Sequence, residues 1–242
     1  MVAQLDELPS LNGVRLIVTL NVCNEPFAFE SRPLRHLQLV VIRNSSPMGF
    51  GANHNQAFER CETSWFAILN PDLSITADVF TSLIDIANKK MAALIVPQIF
   101  NSTGFREDSV RWNLTPWSLV KRRLGVKGED DIDDGRFRWF AGMFYLVQSA
   151  AYRKIGGFNT HYFLYCEDYD LCARMHLAGQ SLWLCREIQI IHDARRASWK
   201  SRHYLMMHLK SLIRVWTSVP LWRIALRDLS ATRRPRQITP CP

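Results

Sequence analysis

Short runs of Val, Ile and Leu alternate with helix-spaced segments along this chain, and that alternation limits the fold more than any other feature. "VRLIVTLNV" (14–22) and "LQLVVIRN" (37–44) are apolar for most of their length and end in polar residues, as buried strands do. "GANHNQAFERC" (51–61) has helical spacing, and "WFAILNPDLSI" (65–75) reads as a strand that breaks at Pro71. "ADVFTSLIDIANKK" (77–90) is an amphipathic helix with Asp78 near its start, and "AALIVPQIF" (92–100) is a strand again. This order implies an α/β fold with parallel strands, whose ligands bind beyond the carboxyl ends of those strands.

The pattern weakens between residues 101 and 138, where a short helix is expected near "WSLVKRRLG" and a solvated loop at the acidic run "EDDIDDG" (129–135). "FRWFAGMFYLVQ" (137–148) returns to strand character, and "SAAYRKIGG" (149–157) is a short helix closed by glycines. "EDYDLCARMHLAGQ" (167–180) is a helix with an acidic first turn, followed by strands at "SLWLC" and "IQIIHD".

The chain has 242 residues, 48% of them hydrophobic and 21% charged, so it can bury a sizeable core. Six scattered cysteines form no CxxC pair, which predicts reduced thiols and a cytoplasmic protein. No apolar run is long enough to span a membrane, and the first residues lack the basic start of a signal peptide. The net charge of +8 gathers beyond Arg186, where Arg and Lys mix with Trp199, Trp216 and Trp222. Such a segment fits a packed helix with a basic outer face, or one resting on anionic lipid. Nucleic acid is the weaker partner, because no reader motif accompanies the charge.

Four places carry candidate chemistry. Asn70-Pro71-Asp72 delivers a carboxylate at a strand end, where it could hold a diphosphate-bound Mg²⁺ or Mn²⁺; a plain Asx or Pro turn is the other reading. "MGFGANHNQAF" (48–58) sets two glycines before a helix start, which suits an anion or a tight turn, and lacks the P-loop ending. "YCEDYDLC" (165–172) packs three acids, Glu167, Asp168 and Asp170, into four positions. A helix start favours such charge, but Asp168 could also take a proton from an attacking hydroxyl, with Glu167 orienting the acceptor or reaching the metal region. His192, at a strand end, is structural or completes a metal site with Asp72.

Taken in order, these pieces resemble the family 2 glycosyltransferases, most closely their bacterial rhamnosyltransferase-like branch. "RNSSPMGFGANHNQAF" looks like the branch's N-x-G-F-(G/A)-x-x-N-N stretch, and "ILNPDLSI" like its version of the metal-binding D-x-D. The block from "WFAGMFYLVQ" to "EDYDLCARMHLAGQSLWL" is similar to the acceptor side of the family, and "IIHDARRAS" to its closing H-x-x-x-x-S. The resemblance implies a GT-A fold, a Rossmann-like mixed sheet flanked by helices. It also implies inverting, metal-dependent transfer of a sugar, rhamnose by analogy with the branch, from a nucleotide donor to a hydroxyl of a cell-surface or lipid-linked glycan. Carried over by position, Asp168 is the base with Glu167 beside it. Asn21, Gly51, Asn53, Asn55, Asn70, Asp72 and Arg111 serve the donor, Asp72 and His192 the metal, and Trp139 and Gly142 the acceptor. Cationic surroundings are expected to keep Asp168 ionised.

The resemblance departs from the family at the start. "TLNVCNEP" (19–26) stands where D-N-x-S belongs, so Asn21 replaces an acid, and the usual first strand of the fold is expected to be lacking. Residues 1–13 then form an N-terminal remnant, 14–198 the transferase domain (14–100 for the nucleotide sugar, 101–198 for the acceptor), and 199–242 a basic helical segment and tail. The basic tail would set the protein at the inner face of the cell membrane. The rival readings are a truncated, non-catalytic homologue that binds glycan or a partner, a nucleotidyltransferase, whose Gly-rich signature is missing, and a nucleic-acid-binding module.

Overall fold

The computed structural model describes residues 1–124, 136–192 and 202–232. The acidic run 129–134, Trp199, the end of the H-x-x-x-x-S stretch and the last ten residues lie outside them.

Two strands, β1 (Arg15–Leu20) and β2 (Gln38–Arg43), pair in parallel with Arg15 opposite Gln38. They form a ladder of their own, which shares no hydrogen-bonded edge with the main sheet among the described residues. Helix α2 (Phe50–Phe58) follows. The main sheet is built from β3 (Trp65–Leu69), β4 (Leu73–Ser74), β5 (Leu94–Asn101), β8 (Phe144–Gln148) and β9 (Leu182–His192), in the order β3-β8-β5-β9-β4. It is mixed, because β8 runs antiparallel to both β3 and β5 while β5 and β9 are parallel. A separate antiparallel pair joins β6 (Val110–Trp112) to β7 (Arg138–Phe140).

Side chains of the main sheet alternate between two cores, as the two-residue period of a strand requires. Tyr145, Val147, Leu94 and Val96 face a cluster completed by helix α6 (Glu167–Leu177) and by α7 (Arg202–Trp216) and α8 (Val219–Thr232). Phe144, Leu146 and Ile95 face the other cluster, closed by Leu83 and Ala87 of helix α3 (Phe80–Lys90). Asp78 starts that helix by accepting the Phe80 and Thr81 N–H groups at 3.0 and 3.2 Å. Helices α4 (Pro116–Arg123) and α5 (Ser149–Lys154) complete the set.

Three expectations change. The run 137–148 is two strands rather than one: Ala141, Gly142 and Met143 turn the chain between β7 and β8, which belong to different sheets. The two strands expected at 181–193 are one, β9, whose register against β5 shifts between Pro97 and Gln98. Finally, residues 1–13 are packed into the body. Helix α1 (Val2–Asp6) and a 3₁₀ turn (Pro9–Leu11) bury Leu5 and Leu11 in the second core, and the Asp6 carboxylate accepts the N–H groups of Arg35, His36 and Leu37.

Candidate active site

The carboxyl ends of β3, β5 and β9 share one rim of the sheet, since all three run in the same sense. At that rim the backbone of residues 141–144 is the tie. Asn70 donates its N–H to the Met143 carbonyl at 2.9 Å, and Gly142 donates its N–H to Asp168 Oδ2 at 3.1 Å. The turn of the N-P-D motif and the start of α6 are thus fastened to neighbouring residues of one segment.

Asp168 lies in the first turn of α6, where backbone N–H groups lack helical partners. Its Oδ1 accepts the Tyr169 N–H at 2.8 Å. The chain reaches this helix through Tyr165 and Cys166 at φ 72° and 65°, two consecutive left-handed residues that are not glycine. Such strain persists only where the surroundings over-determine it, and it collects at functional sites. Gly142 leaves room for the carboxylate, since a Cβ there would stand 3.3 Å from the Asp168 Cβ.

The three acids of the stretch 165–172 occupy three environments. Asp170 is buried and accepts from Arg174 Nε at 2.7 Å, while the same guanidinium donates to the carbonyls of Ile155 and Gly157, both at 2.7 Å. It is structural. Glu167 is 5% exposed, and its Oε2 has no hydrogen-bond partner. Burial, and then the charge of Asp168, push its pKa up to about 8. Asp168 keeps part of its surface open. Burial raises its pKa as well, against the opposing effects of the Arg111 charge and the two N–H bonds. The Arg111 charge favours the ionised form, as expected, while burial opposes it and leaves the pKa above its ordinary value. Of the pair, Asp168 ionises first, because its oxygens have N–H donors and the buried Glu167 Oε2 has none.

Arg111 is carried on β6 opposite Trp139 of β7, and its guanidinium lies 5.0 Å from the Trp139 ring centre. Trp139 itself is 3% exposed, donates its Nε1–H to the Trp112 carbonyl at 2.7 Å and meets Tyr169 edge-on. It is a core pillar that supports Arg111, so its expected place on an acceptor surface is corrected.

At the other side of the rim, His192 ends β9 in register with Leu73 of β4 and Asn101 of β5. Its Nε2 stands 3.2 Å from Asp72 Oδ1, so the fold brings together the two residues expected to share a metal. Neither of these buried atoms has a hydrogen-bond partner. Two such atoms side by side suit a shared cation. Among the described residues no group of three His, Cys, Asp or Glu side chains is placed to hold a metal. A cation that takes one or two protein ligands and completes its shell with phosphate oxygens and water would need no third side chain. The structure also brings in Glu107, whose Oε2 is 3.0 Å from His192 Nδ1. Nothing in the sequence marked it beyond an acid shortly after a strand.

The glycine-led helix α2 serves packing. A Cβ on Gly51 would lie 2.6 Å from the Phe158 Cβ, and the Phe50 N–H donates to the Phe163 carbonyl at 2.8 Å. Asn55 Oδ1 accepts from the Tyr152 hydroxyl at 2.6 Å and from the Phe158 N–H at 2.9 Å, and its Nδ2 donates to the Phe158 carbonyl. Asn21 is bonded to both the N–H and the carbonyl of Met48, and Asn44 bridges it to Asn53. These polar groups hold the loop before α2 and dock that helix on the segment leading to α6.

A family profile described as "Glycosyl transferase family 2" matches residues 29–165, more than half of the chain. The chain belongs to glycosyl transferase family 2. It is 30% identical over 183 residues to rhamnosyltransferase WbbL of Escherichia coli, covering 69% of each protein. It is also 24% identical over 166 residues to the N-acetylglucosaminyl-diphospho-decaprenol L-rhamnosyltransferase of Mycobacterium tuberculosis. There it covers 61% of this chain and 53% of the other, so the chain spans about half the length of that relative. Among solved structures, S. aureus TarS 1–349 in complex with UDP-GlcNAc superposes with a TM-score of 0.58 at 10% identity, over 95% of this chain and 68% of that one. GalNAc-T7 with UDP, GalNAc and Mn²⁺ gives 0.55 at 13%, over 77% and 38%. The mixed, helix-flanked sheet of this family 2 glycosyltransferase is a GT-A fold.

Proposed function

We propose that this glycosyltransferase moves a hexosyl group, with rhamnose the first donor sugar to test, from a nucleoside diphosphate to a hydroxyl of a glycan or lipid-linked acceptor, with inversion. The observation that carries the reading is Asp168, a partly open carboxylate held by the N–H groups of Gly142 and Tyr169. It sits on a segment that is also bonded to the N-P-D turn. Asp168 takes the proton as the acceptor oxygen bonds to the anomeric carbon from the face opposite the departing diphosphate. The fixed donors keep one carboxylate oxygen oriented, and Glu167, which retains its proton at neutral pH, leaves Asp168 as the only charge of the pair. The Arg111 charge is felt at Asp168, and in this reading the same guanidinium would meet the donor's phosphates. Asp72 and His192 would hold a divalent cation, Mg²⁺ or Mn²⁺, which when bound neutralises charge on the leaving diphosphate. Asn70, whose backbone fixes the turn, completes the donor side.

The reading assigns residues 14–198 to transfer and the C-terminal helices to a surface role. No helix among the described residues is long and apolar enough to cross a membrane. Helix α7 exposes Leu205, Met206, Leu209 and Ile213 beside Arg202, Lys210 and Arg214, and carries no acidic residue. Apolar side chains fringed by cations alone suit the headgroup region of an anionic bilayer. This surface supports the reading that the enzyme works at the cytoplasmic face of the membrane, where lipid-linked acceptors would be met. Sedimentation with anionic and with zwitterionic vesicles tests it: binding to the anionic set alone is expected, and equal or no binding to both refutes the placement.

The catalytic reading is tested by incubating the protein with a panel of nucleotide sugars, Mg²⁺ or Mn²⁺ and lipid-linked acceptors. Transfer is expected with one donor class and is abolished in Asp168→Asn, while nucleotide binding survives. Undiminished turnover in that variant sinks the assignment.

A further inference from the structure

His192 stands between two carboxylates, and the two contacts differ in kind. Nδ1 and Glu107 Oε2, 3.0 Å apart, have hydrogen-bond geometry. Nε2 and Asp72 Oδ1, 3.2 Å apart, do not, and both are buried. A neutral imidazole carries one proton, and its place is set by the hydrogen bond that the ring makes. With the proton on Nδ1, Glu107 accepts it and Nε2 presents a lone pair beside a carboxylate oxygen. With the proton on Nε2, the ring instead donates toward Asp72 and the pair closes on itself. Two ligands about 2.1 Å from one cation at a right angle lie about 3 Å apart, close to the spacing found here.

We propose that Glu107 is a positioning residue: its carboxylate holds the His192 proton on Nδ1 and thereby keeps Nε2 and Asp72 Oδ1 available together as a two-atom cation site. The inference rests on the metal reading given above. Glu107 is well placed for it, since its N–H donates to the Ile99 carbonyl of β5 at 2.9 Å, and β5 lies in register beside β9 with Asn101 opposite His192. Partners of this kind are worth about 10- to 100-fold in metal affinity.

The test uses the full chain with ¹⁵N-labelled histidine. Long-range ¹H–¹⁵N correlation of His192, at a pH where the ring is neutral, reports the tautomer, and electron paramagnetic resonance of free Mn²⁺ reports affinity for the metal alone. Wild type is expected as the Nδ1–H form. Glu107→Ala shifts it to Nε2–H and weakens Mn²⁺ binding about tenfold or more. Glu107→Gln, whose amide oxygen still accepts from Nδ1–H, keeps the tautomer and loses less affinity. An unchanged tautomer in folded Glu107→Ala, or Mn²⁺ affinity within about twofold of wild type, overturns the proposal. If Asp72→Ala and His192→Ala bind Mn²⁺ as wild type does, the metal site itself falls. If those two lose binding and Glu107→Ala does not, only the role of Glu107 falls.

Discussion

Replacing Glu167 by Gln isolates the energetic cost of a carboxyl group placed beside the proposed base, Asp168. The side chain is 5% exposed, its Oε2 has no partner, and burial with the neighbouring Asp168 charge raises its pKa from 4.5 to about 8. Below pH 4.5 both the folded and the unfolded chain hold the proton, and the group costs little. Between that pH and about 8 the unfolded chain releases the proton while the folded one keeps it. Stability therefore falls as pH rises, by about 1.4 kcal/mol per pH unit from this group. Above about pH 8 both states are ionised and the loss is complete. Gln cannot ionise, so the variant lacks this slope. The stability of Glu167→Gln relative to wild type is expected near zero at about pH 4 and about +3 kcal/mol at pH 7, within a factor of two. Asp168, also raised, contributes similarly to both proteins and largely cancels in the difference. Urea unfolding at several pH values, read by tryptophan fluorescence, measures it. Two curves separated by a constant amount between pH 5 and 8 would show that Glu167 titrates as it does in solution, and the argument that Asp168 is the charged member of the pair would fail with it.

Other substitutions separate scaffold from chemistry. Arg174→Met leaves the Asp170 carboxylate buried without its cation and removes donors to the carbonyls of Ile155 and Gly157, so unfolding free energy should drop by about 3–5 kcal/mol; a loss under 1 kcal/mol contradicts the structural role. Gly51→Ala pushes a methyl to within 2.6 Å of the Phe158 Cβ and should cost about 1–3 kcal/mol in the same assay, with nucleotide affinity preserved in the folded fraction. Gly142→Ala presses on Asp168 from 3.3 Å, and transfer should fall about tenfold to a hundredfold while the melting temperature barely moves; intact turnover would mean that the carboxylate's placement is not critical.

How much of this was legible in the sequence depended on whether a feature was local. The Val, Ile and Leu runs located β1, β2, β3 and β5, and Asp78 announced α3, because period and capping are written in adjacent residues. Strand direction was not. That β8 enters between β3 and β5 and runs against them depends on the turn at Ala141, Gly142 and Met143, which lies inside one apolar run. The pairing of Asp72 with His192 was an expectation from residue types, and β4 and β9 supply the contact by setting Leu73 opposite His192. Trp139 was carried over by position from the resemblance, and position alone does not tell an acceptor surface from a core pillar; its burial and its Nε1–H bond to the Trp112 carbonyl do. Glu107 was invisible, since only the folding of residue 107 back along β5 places it against a residue 85 positions away.

The acidic cluster shows why residue type alone does not yield chemistry. Glu167, Asp168 and Asp170 lie within one helical turn and would be equivalent on a solvated helix, each gaining a few tenths of a kcal/mol from the dipole. Here α6 is packed on the sheet, so each acid meets a different surface. Asp170 faces Arg174 and is neutralised. Glu167 faces the apolar side near Tyr145 and holds its proton. Asp168 faces the rim, where Gly142 offers an N–H and no side chain. A base must be ionised, oriented and reachable, and among these three only Asp168 meets all the conditions. Two left-handed residues, Tyr165 and Cys166, lead directly into the first turn of α6, whose second residue, Asp168, meets the Gly142 N–H at the rim.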